Sequence, residues 1–476
     1  MYPELGMYIA GNWKTAADSV RVEEVVNPAT GEGFARIPYA SKQDLDEALD
    51  AAVRGFAVWR AMSAYDRSRI MRRAADLLYE RHEAVARVIV QEQGKVYAEA
   101  CAEVLMSVDT IAWYAEEGRR AYGRIVPGRN RAVRQFVMHE PVGVVAAFTP
   151  WNFPIVTPAR KIGGALGAGC SIIIKASEET PGTCVELVRC FVDAGLPPGV
   201  LNLVFGVPSE VSEHLLMKKE VRKISFTGSV SVGKHLAGLA ARTMKRCTME
   251  LGGHAPVIVF NDADPEKSAD MIAAFKYRNA GQVCISPTRF YVQEGVYKRF
   301  LARFIEFSRS INLGNGMDTS TTMGPLANSR RLDAMDVFVS DAVQRGGRIV
   351  MGGRRREGSG FFYEPTVISD VPDDARVMTE EPFGPLAPIV SFKTFDEVLE
   401  RANALEFGLA AYAFTSTVAT ATAVSDAIQA GMVGINSVAI STPETPFGGV
   451  KESGHGSEAG LEGLEAYLNP KFISQG

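Results

Sequence analysis

"VGVVAAFTPWNFPIVTPARKIGGALGAGCSIIIKASEETPG", residues 142–182, sets the architecture of the chain. Two apolar runs, "VGVVAAF" (142–148) and "SIIIK" (171–175), have strand length, and each ends abruptly in a polar loop. A stretch of helical length lies between them. Strand, helix and strand at this separation imply a right-handed crossover between parallel neighbours. The rhythm continues through "VLNLVFG" (200–206) and "RKISFTGS" (222–229). Thr180 as cap, Pro181 at the first position and Gly195 after the end delimit one of the intervening helices. A second series begins after Gly253 with "APVIVF" and continues through "GGRIVMGG" (346–353) and "GLAAYAFTS" (408–416). The expectation is an α/β chain of two domains, without an internal sequence repeat.

The N-terminal third reads differently. "NPATGE" (27–32) is a turn between short extended segments. A helix follows, capped by Ser41 with Asp44 three residues on, and Leu45, Ala48, Leu49, Ala52 and Phe56 recur at its buried spacing. A second helix is expected from about Asp66 to Gln93, stopped by Gly94. "RAVRQFVMHEP" (131–141) and "LEGLEAYLNPKFISQ" (461–475) alternate as strands would.

The chain has 476 residues, too many for a single core, and 46% of them are hydrophobic, as in ordinary folded proteins. A net charge of -4 with no block of like charge argues against nucleic acid or an anionic membrane as partner and leaves small molecules. No apolar run approaches membrane-spanning length, and "MYPELGMYIAGNWK" lacks a basic segment followed by an apolar one, so the expected location is the cytoplasm. The six cysteines, at 101, 170, 184, 190, 247 and 284, form no CxxC pair and no Cys/His ligand spacing. Neither a metal site nor a disulfide framework is expected.

Ligands of open parallel sheets bind beyond the carboxyl ends of the strands. The loops at those ends are "FTPWNFP" (148–154), "KASEETPG" (175–182) and "FTGSVSVG" (226–233). "GSVSVG" is GxxxxG rather than the GxGxxG dinucleotide fingerprint. It suits a pyrophosphate at a helix N-terminus, or simply a close-packed turn. Lys175 and Glu178 read equally as ligand contacts or as a solvated loop pair. Cys284, in "GQVCISPTRF" (281–290) with no histidine beside it, is either a small buried hydrophobe or a nucleophile.

Taken in order, "FTPWNFP", "KASEETP", "FTGSVSVG", "MELGGHAP" (249–256), "GQVC" (281–284), "EEPFGP" (380–385) and "PFGGVKESGHG" (446–456) resemble the signature blocks of the NAD(P)-dependent aldehyde dehydrogenase superfamily. The resemblance implies a Rossmann-like cofactor domain (1–122 and 143–252) and an α/β catalytic domain (253–445). A small β oligomerisation element (123–142 and 460–476) would build a homodimer, or a tetramer of two such dimers. It also implies that Cys284 attacks the aldehyde, that Asn152 and the Cys284 N–H hold the oxyanion, and that Glu250 activates water against the thioester. Without the resemblance, Glu250 would be a strand-end carboxylate paired with a lysine. Lys175 and Glu178 match residues on the adenosine ribose, Gly228 and Ser229 the pyrophosphate turn, and Glu381 and Phe383 the nicotinamide end; Trp151 would line the crevice. Glu178 would repel a 2′-phosphate, so NAD is favoured, with NADP less so.

Arg160, Arg278 and Ser441 resemble the carboxylate grip of the succinate semialdehyde dehydrogenase branch, with Phe153 and Phe447 walling the slot. The competing reading of the two arginines is structural ion pairing. That branch often carries a second cysteine two residues after the nucleophile; here the position is Ser286, so a two-thiol redox switch is excluded. Alternatives include general aldehyde dehydrogenases, glutarate or oxoglutarate semialdehyde dehydrogenases, and acylating dehydrogenases, which typically lack the glutamate. Acyl-phosphate reductases and a non-catalytic scaffold are further readings.

Overall fold

The computed structural model describes residues 2–476. Its first large sheet has the strand order Asn12–Thr15, Gly6–Ile9, Leu201–Val204, Ser171–Lys175, Val144–Phe148, Val221–Thr227, Arg246–Glu250, Gly454–His455. The five central strands are parallel; the flanking pairings are antiparallel. Ile172, Ile173 and Ile174 are all fully buried, as an unbroken apolar run requires when helices cover both faces of a sheet. Those covers are the helices Val156–Ala168 and Lys42–Ala61.

The second large sheet runs Arg348–Met351, Thr366–Ser369, Leu386–Phe392, Pro287–Gln293, Ala255–Val259, Ala410–Phe414, Met432–Ile435, and has its own hydrophobic core. All neighbours in it are parallel except the first pair, so "GGRIVMGG" is an antiparallel edge strand rather than a member of the alternating series. A third, three-stranded sheet joins Leu468–Gln475 to Arg134–Pro141 and that to Arg124–Val126.

Several local expectations need correction. The helix expected over 66–93 is two, Ala64–Glu80 and His82–Gln93. They part at Arg81, whose φ of -99° and ψ of 2° leave the helical region and whose guanidinium is drawn to Asp193 at 2.7 Å. Gly94 does end the second of them, at φ 90°. Residues 461–475 do not form one strand. Gly460–Glu465 is helical because Gly463 packs against the Tyr114 hydroxyl, which also accepts from the Ala459 N–H at 2.8 Å. Thr180 sits at the N-cap of Pro181–Asp193 but makes no capping bond. The buried Glu92 accepts from the Gly182 and Thr183 amides instead, at 2.8 and 2.9 Å. The Ser41 capping box forms as the spacing requires.

Strand order fixes where the site lies. From Val144–Phe148 the chain adds strands outward on one side, then returns to place Val221–Thr227 on the other. A crevice opens at such a switch point, beyond the carboxyl ends of these two strands. Trp151 and Asn152 follow the first of them, and Gly228 and Ser229 the second.

Candidate active site

Between the two large sheets a cavity of about 600 Å³ gathers Cys284, Glu250 and Asn152. Trp151, Gly228, Ser229, Glu381 and Phe383 also line it, as do Arg160, Arg278, Ser441, Phe153 and Phe447. Lys175 and Glu178 lie outside it, in an adjoining cleft of about 880 Å³ that shares Trp151, Gly228 and Ser229 with the cavity. All the candidate site residues therefore border one or other of two adjoining cavities.

Cys284 is held by an unusual backbone. Asn279, Ala280 and Gly281 take successive left-handed φ values of 50°, 54° and 75°. For the two non-glycine residues this is strain that the surrounding packing must hold in place. On the other side of the loop, a Cβ at Gly253 would stand 2.6 Å from the Cys284 carbonyl oxygen, so "LGG" permits the close approach. Cys284 is partly exposed to the cavity. Burial, with Glu381 and Glu250 adding repulsion and Arg160 opposing it, pushes its thiol up to about 12. The shift favours the neutral thiol over the thiolate. The reason is a low-dielectric site holding two carboxylates.

Glu250 ends its strand 2% exposed, and neither carboxylate oxygen has a hydrogen-bond partner. Burial first, then Glu458, raise its pKa well above the carboxylate range, while Lys161 and Arg160 oppose. It is not the lysine-paired strand-end carboxylate of the alternative reading. That lysine partner belongs to Glu458: Lys161 Nζ lies 2.5 Å from Glu458 Oε1 and 3.0 Å from Ser225 Oγ, wholly buried. Sequence reading missed Glu458, which lies two residues beyond the last motif block, and Lys161, which sits directly after Arg160.

Among the described residues the two arginines form no salt bridge. Arg160 donates to Ser441 Oγ at 2.8 Å, with its guanidinium 4.2 Å from the centre of the Phe447 ring. Arg278 lies over Phe153 at 5.3 Å and Phe275 at 6.0 Å. Among the described residues neither has a carboxylate within ion-pair distance. The structural ion pairs of the competing reading are therefore absent. The buried Arg160 and the half-buried Arg278, without carboxylate partners among the described residues, leave a cavity wall suited to an anion.

The cofactor end has fitting chemistry. Lys175 Nζ pairs with Glu178 Oε1. Ser229, which lines the cleft, is the N-cap of Val230–Ala241 but makes no side-chain cap bond, which leaves the first amides of that helix without a side-chain acceptor at the cleft's edge. The hydroxyls of Thr149 and Thr227 are buried there without partners. Glu381 accepts from the Gly253 N–H at 3.0 Å, and burial raises its pKa to about 7. Phe383, itself at φ 46°, stands edge-on to Trp151 with centroids 5.5 Å apart. These orphaned donors and paired walls fit a nicotinamide dinucleotide. Among the described residues no group of three or more His, Cys, Asp or Glu side chains is placed to hold a metal ion. No helix there is long and apolar enough to cross a membrane.

Comparison with known proteins agrees with the geometry. The family model described as "Aldehyde dehydrogenase family" matches residues 13–473. The chain is 46% identical to the 4-(hydroxymethyl)benzenesulfonate dehydrogenase of Comamonas testosteroni, covering 99% of this chain and 98% of that one. It is 41% identical to the NADP(+) succinate-semialdehyde dehydrogenase of Escherichia coli, covering 98% and 97%. A solved succinate-semialdehyde dehydrogenase from Burkholderia pseudomallei superimposes with a TM-score of 0.96 at 40% identity, covering 99% of this chain and 97% of that one.

Proposed function

We propose that this chain, which belongs to the aldehyde dehydrogenase family and is an NAD(P)-dependent aldehyde dehydrogenase, oxidises aldehydes that carry an anionic group at the far end, succinate semialdehyde being the type substrate. The observation that carries this reading is the pair of guanidinium groups, Arg160 and Arg278, lining the Cys284 cavity with no counter-ion among the described residues. A carboxylate entering the cavity would take the place of the missing partner, with Ser441 already hydrogen-bonded to Arg160. Phe153 and Phe447 each pack against one of the two cations.

At the reacting end, Cys284 bonds the aldehyde carbon and Asn152 donates to the oxygen that becomes an oxyanion. The bound nicotinamide supplies the hydride acceptor. A thioester on Cys284 remains, and Glu250, with both oxygens free, takes a proton from the water that hydrolyses it. Burial raises the Cys284 pKa, so its proton must also leave on attack, to solvent or to the unpaired Glu250 in the same cavity; a proton taken by Glu250 passes on to solvent before that carboxylate serves the hydrolytic water.

The test is kcat/KM for succinate semialdehyde against butyraldehyde, which lacks the carboxylate. The expected preference is roughly a hundredfold, falling toward unity in Arg278→Ala. Equal rates in both proteins would make the arginines structural. The relative that acts on a benzenesulfonate favours a second reading, in which the same pocket takes a sulfonate. A sulfonated aldehyde outperforming succinate semialdehyde in the same assay would select it.

Glu178 supports NAD over NADP. Its carboxylate lies in the cleft beside Lys175, and Glu23, Glu24 and Glu179 line the same cleft, so a 2′-phosphate would meet net negative charge. In Glu178→Gln, the kcat/KM ratio of NADP to NAD is expected to rise about tenfold. An unchanged ratio would remove Glu178 from cofactor selection. Two separate cores support the division at 252/253. Among the described residues the outer edge of Leu468–Gln475 has no strand partner, and Phe472 beside it is exposed, which supports pairing of 123–142 and 460–476 across a homodimer or within a tetramer.

A further inference from the structure

Behind the Asn152 loop lies a buried polar cluster with no place in the chemistry above. Lys95, Glu103 and Asn279 are 2%, 1% and 3% exposed. Lys95 Nζ contacts Glu103 Oε2 at 2.5 Å and also donates to the backbone carbonyl of Asn152 at 3.0 Å. The other oxygen of Glu103 accepts from the Ile155 and Val156 amides at 3.1 and 3.2 Å, at the start of the helix that carries Arg160. One carboxylate thus ties a lysine to a helix N-terminus. The lysine in turn fixes Asn152, four positions before that helix begins.

Asn279 completes the arrangement from the other domain. Its side-chain amide donates to the Asn152 carbonyl at 3.0 Å and to the Gln282 carbonyl at 3.2 Å. The Asn152 side-chain amide donates to that same Gln282 carbonyl at 3.1 Å. The Asn279 backbone N–H in turn donates to Glu99 Oε2 at 2.9 Å. A single side chain therefore bridges the loop of the oxyanion donor and the loop of the nucleophile, from a left-handed backbone position that Asn tolerates better than most residues. Burying Lys95, Glu103 and Asn279 together costs desolvation, and simple packing would be served as well by apolar side chains.

We infer that Lys95, Glu103 and Asn279 are positioning residues that hold the Asn152 amide in register with Cys284, so that the oxyanion meets its donor without rearrangement. The inference rests on the roles proposed above for Cys284 and Asn152. Its consequence is selective. Attack on a carbonyl needs the donor; attack on a saturated carbon does not.

The experiment compares two reactions of the same thiol. With 4-nitrophenyl acetate the sulfur bonds the acetyl carbon, nitrophenolate leaves, the thiol proton passes to Glu250 or solvent, and an oxyanion forms on the way. With iodoacetamide the sulfur bonds the methylene carbon, iodide leaves, the thiol proton again departs, and no oxyanion forms. The variants are Lys95→Met combined with Glu103→Gln, which removes both buried charges together, and Asn279→Gly, which keeps the left-handed backbone without the bridging amide. Lys95→Arg is the conservative control.

Acetylation is expected to slow about tenfold or more in the first two, with alkylation within about twofold of wild type and partial recovery in Lys95→Arg. Acetylation falling no further than alkylation in both would overturn the inference, since a merely structural cluster moves the two rates together. Asn152→Ala separates the two levels. If it leaves acetylation unchanged, the oxyanion role of Asn152 fails and the inference with it; if it slows acetylation while the cluster variants do not, the inference alone fails.

Discussion

Cys284→Ala is expected to lose dehydrogenase turnover by about 10⁴-fold or more, while its affinity for the dinucleotide changes little. A free aldehyde has no electron pair placed to expel hydride, and the covalent adduct with sulfur is what provides one. No other cysteine lines the cavity: Cys101, Cys170, Cys184, Cys190 and Cys247 lie elsewhere, and Ser286, two residues on, is 1% exposed. Cofactor affinity should survive because the contacts proposed for it lie in the adjoining cleft, at Lys175, Glu178 and the N-terminus of Val230–Ala241. Steady-state NADH production and dinucleotide titration by fluorescence measure the two quantities. Turnover within tenfold of wild type would remove Cys284 from the chemistry.

Glu250→Gln separates the two halves of the reaction. Adduct formation and hydride loss need a nucleophile, but thioester hydrolysis needs a base for water, and Glu250 is the carboxylate with two unpartnered oxygens. The glutamine keeps the shape and loses the basicity. Steady-state kcat should drop about 10² to 10⁴-fold. A rapid burst of NADH, with amplitude approaching one per active site, should precede the slow phase if the thiol can still lose its proton to solvent. The pH dependence carries the same information. A base works only when deprotonated, and burial beside Glu458 raises the Glu250 pKa, so wild-type kcat should climb with pH through a value above the ordinary carboxylate range. In Glu250→Gln that limb should vanish. A limb that persists unchanged would assign it to another group, the Cys284 thiol near 12 or Glu381 near 7.

The parallel sheet was legible because "SIIIK" and its companions are buried on both faces and therefore unbroken runs of apolar side chains. The motif loops were legible as polar segments at strand ends, while the roles expected of Trp151, Asn152 and Glu250 came from the resemblance of the ordered blocks to a known family. What the sequence concealed was long-range. The capping of Pro181–Asp193 depends on Glu92, some 90 positions away, and the helicity of Gly460–Glu465 on Tyr114. Likewise Lys95, Glu103 and Asn279 look unremarkable in the chain, since a buried polar side chain is identified by its partners and those lie in other elements. The raised pKa of Cys284 is hidden for the same reason, because it is set by burial first and then by Glu381 and Glu250 across the cavity, none of them a neighbour in sequence.

The most direct test of the account is to mix Glu250→Gln with NAD and succinate semialdehyde, quench in acid after the first turnover, and map the acyl mass by peptide mass spectrometry. A succinyl group on the peptide containing Cys284, absent without NAD and sharply reduced in the Arg278→Ala background at the same aldehyde concentration, is the predicted result. An unmodified Cys284 peptide after a full burst of NADH, or a succinyl group on a different residue, would contradict it.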